Sequence, residues 1–296
     1  MERYKNTALI LLTLALTGIT VILGAIPLRA LRQNLGSISY WITSTVIVLA
    51  LFALQMYGLA IGLLSLVLIV GVFTDLHESG HSILSASATA VSVTFFLFIG
   101  GFLISQATGG FMWRPYVQEN VQKYLELTQM LPEKDPEMFV SAMVIQTPSV
   151  IYMIMSLSLF FSLIFEKRIS SWVKKSSDAK LLKSLNNFKL PSVFIWVGIF
   201  TVLGSFFHWP QGASFDLVKT ASLNTLNVFV LLYFFQGLAI ISCFFHVFKI
   251  SLFWRIFWLI LVVTQLFVAV AFIGFIDFWL NFRFKIVQRA KKIKSI

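Results

Sequence analysis

Residues 82–106 read SILSASATAVSVTFFLFIGGFLISQ, a run without one charged side chain. At about 1.5 Å per residue a helix of this length spans about 37 Å, enough to cross a hydrocarbon core of about 30 Å. Its polar side chains are small hydroxyls and one terminal glutamine, so it has no charged face to turn to water. Working outward, further apolar runs lie at 7–28, 41–74, 141–165, 191–208, 223–247 and 251–280. As one helix, 41–74 would be about 50 Å long, too long for a single crossing. Tyr57-Gly58 and Gly62 offer a turn, which predicts two helices at 41–56 and 59–74. In the last run Arg255 and Asp277 bracket a clean apolar core at 256–276. The expectation is an all-α polytopic transmembrane helical bundle with about eight spanning helices.

Composition agrees. The chain is 58% hydrophobic and 12% charged, whereas soluble domains are nearer half and a quarter. Its mean hydropathy is +0.88. The net charge of +11 sits mostly in loops and in the tail. In a membrane protein that pattern speaks to topology and anionic headgroups, not to a nucleic-acid partner. No phosphate-binding glycine loop of the P-loop type is present. Cys243 is the only cysteine, which excludes an internal disulfide and a Cys-rich metal site. Arg3 and Lys5 precede a run longer than the core of a signal peptide, so 7–28 reads as an uncleaved spanning helix.

Residues 1–296 read as a single transmembrane domain with three polar interruptions. The insert at 108–140 repeats Val117, Val121, Tyr124 and Leu125 at helical spacing, which predicts a short amphipathic helix on the membrane surface. The alternative is an ordinary loop. The loop at 166–190 carries Lys167, Arg168, Lys174, Lys175, Lys180, Lys183 and Lys189 against Glu166 and Asp178. The tail at 281–296 carries Arg283, Lys285, Arg289, Lys291, Lys292 and Lys294 with no acid. The positive-inside rule asks for both basic regions in the cytoplasm. Three expected crossings separate them, which puts them on opposite sides. The unopposed charge of the tail favours a cytoplasmic C-terminus.

Several residues are candidates for chemistry. His77-Glu78-Ser79-Gly80-His81 matches H-E-x-x-H, in which two histidines on one helical face hold zinc and the glutamate activates water. The motif looks like that of site-2 intramembrane metalloproteases. Their third ligand comes from a Leu-Asp-Gly context, which neither Asp277 nor Asp216 has here. The plainer reading is a polar turn between two helices. Asp277 is the one acid placed inside an apolar run, and such residues face a partner or a wet cavity. Arg283, six residues on, would point elsewhere on one straight helix. Asn224, Asn227 and Gln236 lie in the run 223–247, where amides often join helices. Trp209, Trp254 and Trp279 lie near expected helix ends and read as interface anchors.

Three segments carry a family resemblance. They are Phe188-Lys189-Leu190-Pro191, the stretch from Asn227 to Tyr233-Phe234-Phe235-Gln236-Gly237-Leu238-Ala239, and Ile273-Gly274-Phe275-Ile276-Asp277-Phe278-Trp279 followed by Asn281-Phe282-Arg283. Together they resemble the YybS-like family of bacterial multi-pass membrane proteins, a domain of unknown function. At fold level that family is similar to the substrate-binding membrane subunits of energy-coupling-factor vitamin transporters. The resemblance implies a bundle of the bacterial cytoplasmic membrane with a small-solute pocket. Asn227, Gln236 and Asp277 would line or support it, and a separate ATPase subunit would supply energy. Solute binding or transport without a cofactor is therefore the leading expectation. A zinc protease using His77, Glu78 and His81 is the second, and a non-catalytic membrane scaffold or assembly protein the third.

Overall fold

A computed structural model of the chain describes residues 2–109, 113–129, 135–165, 188–206, 213–251, 253–254, 257–258, 261 and 265–294. Every regular element among them is an α-helix. They fall into two compact units, Met1–Leu182 and Lys183–Ile296.

The first unit opens with α1 (Glu2–Ile19) and α2 (Val21–Leu35). The run 7–28 is therefore not one spanning helix, which corrects the sequence expectation. Thr20 adopts an extended backbone and its hydroxyl accepts from the Ile22 amide, which ends one helix and caps the next. The two form a hairpin whose open end is joined by an Asn34 to Asn6 side-chain hydrogen bond. A Cβ on Gly24 would lie 2.8 Å from Leu66, so glycine lets α2 lie close against its neighbours. Helix α2 packs on α1, α3 (Ser37–Ala53), α4 (Tyr57–Glu78) and α7 (Pro136–Ile164). All residues from Gly24 to Arg32 are buried, as expected of a helix surrounded on every side. The break between α3 and α4 falls at Leu54–Met56, close to the Tyr57-Gly58 turn expected from sequence. Helix α5 (Ile83–Ala107) packs on α4 and α7.

Helix α6 (Trp113–Leu127) occupies the polar insert. Val117, Val121 and Leu125, spaced four apart, cover Val140 and Val144 of α7. Tyr124 points away and is exposed. The apolar face of the amphipathic pattern is thus covered by α7.

In the second unit α8 (Val193–Phe206), α10 (Phe267–Leu280) and α11 (Phe282–Lys294) all pack on the long α9 (Ala213–Val247). Gly237 and Gly274 let α9 and α10 meet backbone to backbone. A Cβ on Gly274 would lie 2.8 Å from the Gly237 amide and nearer still to the Tyr233 carbonyl oxygen. Small residues at such crossings are the usual device where no hydrophobic force acts between helices in lipid.

Among the described residues, four helices are long and apolar enough to cross a membrane: α4, α5, α7 and α9. A fifth is reached if the bent pair α10–α11 counts as one. Helices α1, α3 and α8 are shorter and apolar. The architecture is that of a helical membrane bundle. The basic loop at 166–187, Trp209 and much of the run 252–264 lie outside the described residues.

Candidate functional site

The first unit holds a charge cluster that begins on α2. Arg29 and Arg32 are one turn apart and share a face. They are 4% and 2% exposed. The Arg32 guanidinium donates from Nη2 to Asp75 Oδ1 at 2.5 Å and to Glu78 Oε2 at 3.0 Å. Asp75 is held further by Ser37 Oγ at 3.0 Å and by the Trp41 indole N–H at 3.0 Å. Gly71, one turn before Asp75, makes room for that indole, since a Cβ there would lie 3.1 Å or less from its ring atoms. Tyr40 donates to the Val67 carbonyl at 3.0 Å and meets Trp41 edge to face. Arg29 lies over the Phe73 ring, 5.2 Å from its centroid. That ring also stacks on His77. A narrow apolar cleft between the first four helices is lined by Leu28, Leu31, Ser44 and Val67, beside the arginine face.

Both carboxylates and both arginines follow i, i+3 spacing; Arg32 holds the two carboxylates, and Arg29 lies over Phe73. None of Arg29, Arg32, Trp41 or Asp75 stands out when apolar runs are delimited at 28 and at 74. The readable signal was that leucines continue to Leu31 and Leu35 beyond the arginines.

The H-E-x-x-H segment lies at the end of α4. The helix stops at Glu78, Gly80 takes a positive φ of 93°, and the His81 amide folds back to the Leu76 carbonyl at 3.1 Å. His81 Nδ1 sits 3.2 Å from Ser79 Oγ and 3.1 Å from the Leu76 carbonyl oxygen. His77 and His81 therefore do not share one continuous helical face, and Glu78 is engaged by Arg32. No group of three metal-ligating side chains occurs among the described residues. The side chain of Asp216 is not among those described.

The second unit has its own polar cluster at the α9–α10 contact. Gln236 is 2% exposed. Its carbonyl oxygen accepts from the Leu190 amide at 2.9 Å, and its amide nitrogen donates to the Gly274 carbonyl at 2.9 Å and reaches Asp277 Oδ2 at 3.5 Å. Asp277, also 2% exposed, accepts at Oδ1 from the Phe282 amide at 2.8 Å. That amide opens α11, where the positive end of the helix dipole favours a carboxylate. Arg283 Nε lies 4.0 Å from Asp277 Oδ2, and its Nη2 donates to the Phe188 carbonyl. This pairing corrects the expectation from a straight helix. Asn281 takes a left-handed conformation with φ 46°, and the chain bends by 80° between α10 and α11. The bend carries Arg283 round to Asp277. Gln236 and Asp277 are thus brought together. Asn227 is nine residues earlier on α9, about 13 Å along the axis, and is only partly buried.

Fold and clusters define a polytopic α-helical membrane protein with charged side chains buried among its helices. The chain belongs to the family described as predicted membrane protein (DUF2232), whose model matches residues 6–278. No curated protein and no solved structure matches it.

Proposed function

We propose that the protein binds or transports a small anionic solute, in a role similar to that of a transporter's substrate-binding membrane subunit. One observation carries this reading: α2 buries two guanidinium groups, Arg29 and Arg32, one turn apart at the centre of a helical bundle. Charges among membrane helices are costly, and where they persist they usually mark a substrate or ion path. Two guanidiniums on one face suit the forked recognition of a carboxylate or phosphate. The exposed edge of the cluster is supplied by Asp75 and Glu78, whose side chains are 39% and 55% exposed. An anion that displaced them from Arg32 would enter from that edge. Gln236 and Asp277, offered by the resemblance as solute-binding residues, serve in this reading as a brace of the second unit. We place the protein in a bacterial cytoplasmic membrane, with a separate ATPase or other subunit as energy source.

The test is thermal unfolding of detergent-purified protein against a panel of small carboxylates and phosphates. A ligand at about one hundred times its dissociation constant adds about 2.7 kcal/mol to stability. The expected result is stabilisation by one anion class in the parent, lost in Arg29→Gln. Indifference of the parent to every anion would overturn the proposal. Stoichiometric zinc in the parent that vanishes in a His77→Ala/His81→Ala variant would favour the metalloprotease reading instead.

A further inference from the structure

We propose that α11 is a surface helix that binds the anionic phospholipid headgroups of the leaflet at which α10 ends. Three observations converge on it. First, α11 leaves α10 at 80°, so if α10 stands along the bilayer normal then α11 lies nearly in the membrane plane. Second, that angle is built in. Asn281 makes the turn in a left-handed conformation, Asp277 accepts from the first amide of α11, and Arg283 is tied back to the Phe188 carbonyl. Third, the remaining charge is of one sign. Residues 281–296 contain six basic side chains and no acid. Arg283 is spent on the bend, whereas Lys285 and Arg289, one turn apart, are exposed.

The apolar residues complete the match. Phe282 and Ile286 are partly buried, and α11 packs on α9. Phe284 is 64% exposed, an aromatic ring of the kind that favours the level where acyl chains meet headgroups. A helix with exposed lysine and arginine, an exposed aromatic ring and no acid fits an interface of negative lipid. Nothing in this arrangement depends on the solute site in the first unit.

The experiment is hydrogen exchange of the full-length protein in lipid nanodiscs. One set contains phosphatidylcholine alone and the other contains phosphatidylglycerol at about one third. Each basic residue near an anionic surface is worth about a fivefold change in affinity. Amides of 284–294 are expected to exchange at least several-fold more slowly in the anionic discs, and high salt should erase the difference. The variant Lys285→Gln/Arg289→Gln, whose side chains are exposed, should keep the parent's melting temperature and lose most of that difference. Equal exchange of the parent in both lipids would overturn the proposal. So would equal slowing by soluble glycerol phosphate in neutral discs, because a free anion would then be the ligand.

Discussion

At the residue scale the most consequential side chain is Arg32. It is almost wholly buried, and the groups that neutralise it differ in kind. Asp75 is fixed by Arg32, Ser37 and Trp41, whereas Glu78 contacts Arg32 alone among the bonds above and is mostly exposed. Removing Asp75 takes the acceptor from three donors, one of them on the buried Arg32, whereas removing Glu78 leaves Arg32 its contact with Asp75. Asp75→Ala is therefore expected to lower stability by about 3 kcal/mol and Glu78→Ala by less than about 1 kcal/mol. Thermal unfolding in one detergent compares them directly, and equal effects would contradict the asymmetry. Sequence reading found Asp277 and Gln236 because both stand out in long apolar runs. It passed over Arg29, Arg32 and Asp75 because each sits just beyond an apparent run end. Hydropathy sees the side chain's own polarity and not the partner that makes its burial tolerable.

At the element scale the α9–α10 contact rests on two glycines. A methyl group at Gly274 would enter the space of the Tyr233 carbonyl and the Gly237 amide, neither of which can rotate away. Gly274→Ala is expected to cost at least about 2 kcal/mol and to loosen the Gln236–Asp277 brace with it. Gly100 and Gly101 on α5 are the controls, since a Cβ at either meets nothing within 4 Å. Alanine there should be neutral or stabilise by up to about 1 kcal/mol through helix propensity. Most helices could be located from their apolar runs, and the turn near Tyr57 to within a few residues, although Gln55 makes it with a φ of 60° and Gly58 lies inside α4. The α1–α2 hairpin could not. Thr20 lies inside an unbroken apolar stretch, and a capping threonine looks like any other threonine until the chain turns. The bend at Asn281 was hidden for a similar reason, since left-handed backbone is a conformation and not a residue type.

At the scale of the whole molecule, charge distribution sets orientation. The tail carries six basic residues without an acid, so we expect the C-terminus in the cytoplasm. A C-terminal reporter fluorescent only in the cytoplasm should light up, and one active only outside should stay silent. The reverse outcome would place α11 at the outer leaflet.

Apolar length and charge alone determined that this chain is a helical membrane protein. Transfer of a long uncharged run into hydrocarbon depends on composition, with little need of tertiary contacts, so class and approximate helix positions were readable. The pairing of Arg32 with Asp75 and Glu78, the meeting of Asp277 with Gln236 and Arg283, and the turning of α11 out of line with α10 were decided only by tertiary structure. Each depends on backbone breaks and close helix approaches that bring together residues 41 to 46 positions apart, or swing near neighbours onto one side. Local hydrophobic pattern carries no record of such distances.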